Sequence, residues 1–70
     1  MIDEVLFAQV RLFRMFCERF GLDPSSGNSL WNEFGIWGFI ESCYYTLHLS
    51  GDEAALDDIQ TKLAFHGAPL

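Results

Sequence analysis

The side chains best equipped for chemistry in this chain are two cysteines and two histidines: Cys17, Cys43, His48 and His66. Together they equal the ligand count of a structural zinc site, but none of them forms a close pair such as C-x-x-C, from which a chelate begins. Both cysteines sit in apolar sequence, the setting of reduced core thiols rather than of a secreted disulfide framework. A nucleophilic thiolate needs a polar setting and an adjacent orienting base. Cys43 and His48 lie at an i, i+5 separation, which places their side chains roughly 140° apart on one helix, so His48 is a poor base for Cys43. His66 can reach either thiol only through tertiary structure. No catalytic residue, metal or cofactor is therefore expected.

The remaining charged and small residues point the same way. Asp3-Glu4, Asp52-Glu53 and Asp57-Asp58 are paired carboxylates, yet each pair falls near a helix start or on a solvent face, where capping and the helix dipole account for it. Gly35 and Gly38 lack both the preceding strand and the lysine of a phosphate-binding loop. Arg11, Arg14 and Arg19 form the one basic cluster and carry the alternative of a DNA-binding autoregulator. Overall charge opposes it. The net charge is −6, and from position 20 onward Lys62 is the only base, so phosphate neutralisation is disfavoured and a basic protein partner is electrostatically easier.

The elements that must position these residues are helical. Between Asp3 and Phe20 nothing breaks a helix, and Val5, Leu6, Ala8, Val10, Leu12, Phe13, Phe16, Cys17 and Phe20 project onto one broad apolar arc opposite Glu4, Arg11, Arg14 and Glu18. Gly21 is placed to cap it. Phe7 alone projects into the charged face, where Arg11 at i+4 is in reach of its ring. Leu22 to Asn28 has the composition of a loop, and Asn28 or Ser29 opens a short helix ending at Phe34. A further helix runs from Ile36 to His48, with Ile36, Phe39, Ile40, Cys43, Tyr44 and Leu47 inward. Gly38 within it implies close approach by a neighbouring backbone or ring. Asp52 and Glu53 start the last helix, in which Asp58 and Lys62 are spaced to pair. No strand alternation or internal repeat occurs. The expected fold is one all-α domain, a compact bundle of three main helices and one short one, over residues 3–20, 29–34, 36–48 and 52–65.

Composition leaves this bundle with apolar surface to spare. A chain of 70 residues buries only about 60% of its unfolded surface, yet half of its residues are hydrophobic and 16% aromatic. That surplus suggests contact with another chain, either a second copy or a different protein. The start is acidic where a signal peptide is basic, and no apolar run approaches the ~20 residues that span a bilayer, so a cytoplasmic protein is expected. Trp31 and Trp37 are expected to close the core. Phe7, Arg11, Tyr45 and His48 remain as partner-binding residues, tyrosine and phenylalanine because they bury much area at little rotamer cost.

The pattern Trp31-x-x-Phe34-Gly35-x-x-x-Phe39-Ile40-x-x-x-Tyr44-x-x-Leu47-His48-x-x-Gly51, followed by Asp58-Ile59-x-x-x-Leu63, resembles a family of small bacterial domains of unknown function. Members are of similar length and end in a Tyr-x-x-Leu-His element, a glycine and an Asp-Ile helix. Leu49 replaces the commoner threonine, and the polar stretch around Ser25 to Asn28 is longer. Families of this kind occur beside genes for ADP-ribosyltransferase-like toxins. The resemblance thus implies an antitoxin or accessory partner of a toxin. In physical terms Tyr44 and Leu47 face inward, Gly51 permits a left-handed turn, and His48 at the helix end can bond exposed carbonyls.

Overall fold

A computed structural model describes residues 3–69 of the chain. They form five helices and no strand, with 82% of the described residues helical: α1 Glu4–Phe20, α2 Pro24–Glu33, α3 Ile36–Ser42, α4 Tyr44–Ser50 and α5 Asp52–Phe65. The fold is all-α. α1 is the hub, packed against α2, α3 and α5, while α4 packs chiefly on α5.

α1 has both of its ends specified locally. Asp3 is its N-cap, and Oδ1 accepts the N–H groups of Val5 and Leu6, at 3.0 and 3.2 Å. At the other end Gly21 takes φ +63°, and the N–H groups of Gly21 and Leu22 both close back on Cys17 O, the latter at 2.9 Å, which turns the chain out of the helix. Its core face is narrower than the broad arc expected from projection. Ala8, Leu12 and Phe16 are buried, as is Cys17, but Leu6 and Val10 are 55% and 48% exposed. Those two belong to a second apolar stripe, Leu6, Val10, Phe13 and Cys17, which α2 covers only at its far end.

α2 begins five residues before the expected start. The segment from Pro24 to Asn28 is helix rather than loop, because Asp23 caps it and Pro24 occupies the first turn, where a missing N–H costs nothing. Asp23 Oδ1 accepts the Ser26 N–H at 2.9 Å, and the bonds from Ser26 hold its carboxyl below the usual aspartate range. Gly27 explains the rest. A Cβ there would stand 2.6 Å from Cys17 Sγ and 3.2 Å from the Phe13 ring, so the absent side chain lets α2 lie against α1. That approach delivers Trp31 into the centre of the molecule, where it is fully buried.

The helix expected over residues 36–48 is two helices. Cys43, at φ −109° and ψ 16°, ends α3 by donating its N–H to Phe39 O and opens α4 by accepting from the Leu47 N–H, both at 2.9 Å. Nothing in Ser42-Cys43-Tyr44 breaks a helix by propensity, so tertiary packing decides. α3 follows α1 and α2 and buries Ile36 and Ile40, whereas α4 must turn to bury Leu47 beside α5. Two smaller expectations also fail. A Cβ at Gly38 would meet nothing within 4 Å, so no close approach requires that glycine. Lys62 sits over the Phe39 ring, 5.1 Å from its centroid, instead of pairing with Asp58. Gly51 joins α4 to α5 at φ +89° and ψ 165°, which is not a left-handed helical turn but an extended positive-φ region open in practice to glycine alone.

The core is one cluster that joins aliphatic residues to the rings of Phe16 and Trp31. Ile36, Ile40, Leu56, Ile59 and Leu63 are fully buried, each contributing roughly 1.5–3 kcal/mol of transfer free energy. Gly27→Ala should destabilise the domain by about 1–3 kcal/mol through overpacking. Much of that loss should return in Gly27→Ala combined with Cys17→Ala, which removes the sulfur the new methyl meets. Urea denaturation of the four proteins in a double-mutant cycle checks this, and strictly additive effects would rule out the contact as the cause.

Candidate interaction surface

The residues with chemical potential are dispersed or spent on structure. Cys17 is a buried free thiol, and burial pushes its titration up, with the negative charge of Asp23 adding to the effect, which disfavours the nucleophilic thiolate. Cys43 is a free thiol at the α3/α4 junction. Among the described residues, no three of His, Cys, Asp and Glu stand together as a metal site.

Two of the three arginines are held by α5. The Arg11 guanidinium forms a fork on Asp52, Nε to Oδ2 at 2.8 Å and Nη2 to Oδ1 at 3.1 Å. Arg19 reaches Asp57 Oδ1 and Glu53 Oε2, each at 2.8 Å, and the Asp57 bond is the main reason its guanidinium is held above the usual arginine range. The order of these pairs shows that α1 and α5 run in the same direction. It also matches the helix dipoles: Asp52 and Glu53 lie in the first turn of α5, and Arg19 in the last turn of α1. Arg14 makes no ion pair among the described residues.

The four expected partner-binding residues separate into two groups. Phe7 is 61% exposed and lies one turn before Arg11 on the outward side of α1. Both line a shallow groove of about 430 Å³ with Val10, Arg14, Met15 and Glu18. Arg11 does not cover the Phe7 ring, since its guanidinium is turned to Asp52. His48 and Tyr44 border a different, narrow cleft between α1 and α4, into which the Arg11–Asp52 pair also faces. There His48 stacks on Tyr44, with ring centroids 5.4 Å apart and 22° between planes, in place of the carbonyl contact expected of it. Tyr45 is on the outer side of α4, 74% exposed, next to Leu49 at i+4, which is 69% exposed. Arg11 thus touches both surfaces, while Phe7 and Tyr45 do not share one.

Leu6, Val10 and Leu49 were not anticipated as surface participants. The signal for the first two was present, because Leu6, Val10, Phe13 and Cys17 recur at spacings of four and three, a stripe distinct from Ala8, Leu12 and Phe16. Which stripe faces the core depends on where α2 crosses, and Gly27 sets that. Phe65 is the most exposed of the large apolar residues, at 85%, and stands apart near the end of α5.

No protein-family model matches the chain, and neither a curated protein nor a solved structure shows significant similarity to it. No helix among the described residues is long and apolar enough to cross a membrane.

With side chains 49% and 38% exposed, the Arg11–Asp52 fork is open to solvent screening. Asp52→Asn should therefore cost less than about 1 kcal/mol in dilute buffer, and the difference should shrink in about 1 M salt. Paired thermal melts at low and high salt read this directly. A large loss that persists in salt would show that the pair holds α1 on α5 by more than screened charge.

Proposed function

We propose that this chain is a non-catalytic, cytoplasmic protein-interaction module whose docking surface is the outward face of α1. The observation that carries the proposal is the exposure of Leu6, Phe7 and Val10, 55%, 61% and 48%, side by side on a molecule whose interior is otherwise closed. An apolar strip rimmed by charge is the composition of a binding face, here an exposed aromatic, Phe7, beside Val10 with Arg14 and Glu18 at the edge. Binding through such a face requires complementary shape and charge, and no chemistry of the chain itself. Tyr45 and Leu49 on α4 offer a smaller second contact.

The resemblance of the Trp31 to Gly51 stretch extends the proposal to a class of partner, a toxin encoded beside this chain that it neutralises or accompanies. The excess of acid beyond position 20 favours a partner with a basic surface. DNA binding through Arg11, Arg14 and Arg19 draws no support from the geometry. Arg11 and Arg19 are paired with α5 carboxylates, which leaves Arg14 as the one arginine without an ion pair among the described residues to meet phosphate.

Co-expression of the full chain with the product of the adjacent gene, followed by co-purification and calorimetry, tests the proposal. The two proteins should form a complex of defined mass, and Phe7→Ala should weaken it at least about tenfold, a loss of hot-spot size, with helicity unchanged by circular dichroism. A neighbour that neither co-purifies with the chain nor raises its melting temperature would overturn it.

A further inference from the structure

We propose that the outward face of α1 pairs with the same face of a second copy of this chain, the two helices antiparallel and Glu4 of each opposite Arg14 of the other. The proposal rests on the interaction role assigned to this face and names its occupant. It comes from the register of the exposed residues. Glu4, Phe7, Arg11, Arg14 and Glu18 recur at spacings of three and four, and all five are exposed, so they form one line along the helix with Val10 and Leu6 flanking it.

That line is complementary to itself in one arrangement. An antiparallel copy that sets Glu4 against Arg14 also sets Phe7 against Arg11, and the two-fold axis returns both contacts, as an isologous interface requires. Each layer then joins opposite charges or a cation to an aromatic face. Glu18 falls beyond the overlap. Every competing alignment on the same seam is worse. Sliding the copy by one heptad in one direction puts Arg11 against Arg14, and by two heptads leaves only Arg14 and Glu18 in contact; sliding it in the other direction leaves only Glu4 and Phe7. A parallel pair stacks Glu4, Arg11 and Arg14 each on its own kind. Like charges thus disfavour the parallel pair and the one-heptad slide, and loss of overlap disfavours the two shorter registers.

The groups this register uses are available. Neither Glu4 nor Arg14 makes an ion pair among the described residues, and Arg11 gives Nε and Nη2 to Asp52 while its face stays open to a ring. Val10 lies close to the two-fold axis, where it meets its own copy and covers apolar surface that α2 leaves bare. The overlap from Glu4 to Arg14 spans only about 15 Å of helix at 1.5 Å per residue. Its buried area is therefore at the low end for protein interfaces, and the dimer is weak and concentration-dependent, with charge setting register more than affinity.

Sedimentation equilibrium on the purified full-length chain in low salt, from about 1 µM to about 1 mM, is the test. The mass should rise from monomer to dimer across that range, and less so in high salt. Glu4→Arg and Arg14→Glu should each reduce self-association at least about tenfold. An equimolar mixture of the two variants should regain it, since each supplies the charge the other lacks. Phe7→Ala should weaken association without touching either charge, and circular dichroism shows which variants remain folded. A chain that stays monomeric throughout overturns the proposal. So does a dimer indifferent to these substitutions, which would place the contact at Tyr45 and Leu49 or at Phe65, and so does a mixture of folded variants that fails to associate. Because this chain is studied alone, a monomeric result removes the second copy as occupant while leaving the binding of a different protein to be decided by co-purification.

Discussion

The burial of Trp31 constrains everything else in this molecule. Its indole is fully enclosed by Phe13, Phe16 and Trp37, with ring centroids at 5.2, 5.5 and 4.8 Å and edge-to-face geometry throughout. Such a side chain supplies more core than any other single residue here, and removing it would cost about 3–5 kcal/mol, a large part of the stability of a small domain. It is also the one buried polar side-chain atom lacking a partner among the described residues, since Nε1 finds no acceptor. The rings that surround it offer only the weaker N–H to π attraction. A buried group of this kind is tolerated because the aromatic contacts outweigh it.

Three features of the fold follow from bringing Trp31 inward. α2 must approach α1 closely, which requires Gly27 to have no side chain opposite Cys17 and Phe13. α3 must follow across α1, where Gln9 Nε2 donates to Trp37 O at 2.9 Å and fixes the second tryptophan. And α2, placed low on α1, covers Phe13 and Cys17 but not Leu6 and Val10. The exposed strip on α1 is therefore the remainder of a stripe that the internal packing has half used. α5 does not relieve it, because the Arg11 and Arg19 pairs hold α5 on another side of α1.

The helical class and the ends of α1 and α5 were legible in the sequence because they are local: apolar spacing, Asp3, Gly21, and acids in the first turn. The start of α2 was obscured. Proline, two serines and glycine in succession have poor helix propensity, and only the cap at Asp23 and the packing of Gly27 outweigh it. The break at Cys43 had no local signal, since α3 and α4 diverge to meet different neighbours. The candidate surface was legible in part. Phe7 and Tyr45 stood out as apolar residues on polar faces, whereas Leu6 and Val10 blended with the core arc until the position of α2 divided it. His48 and Arg11 were recognisable as special, but what engages them, Tyr44 stacking and Asp52, depends on how α4 and α5 meet α1.

All of this depends on Trp31 lying sealed among rings while Trp37 remains partly open. Solvent exchange of the two indole N–H groups, followed by nuclear magnetic resonance, examines that difference directly. One indole N–H, assigned to Trp31 through loss of its signal in Trp31→Phe, should exchange only at the rate of global unfolding, and the other much faster. Rapid exchange at both indoles would contradict the account, for α2 would then not be seated on α1, and the half-covered stripe from Leu6 to Cys17 would have no basis.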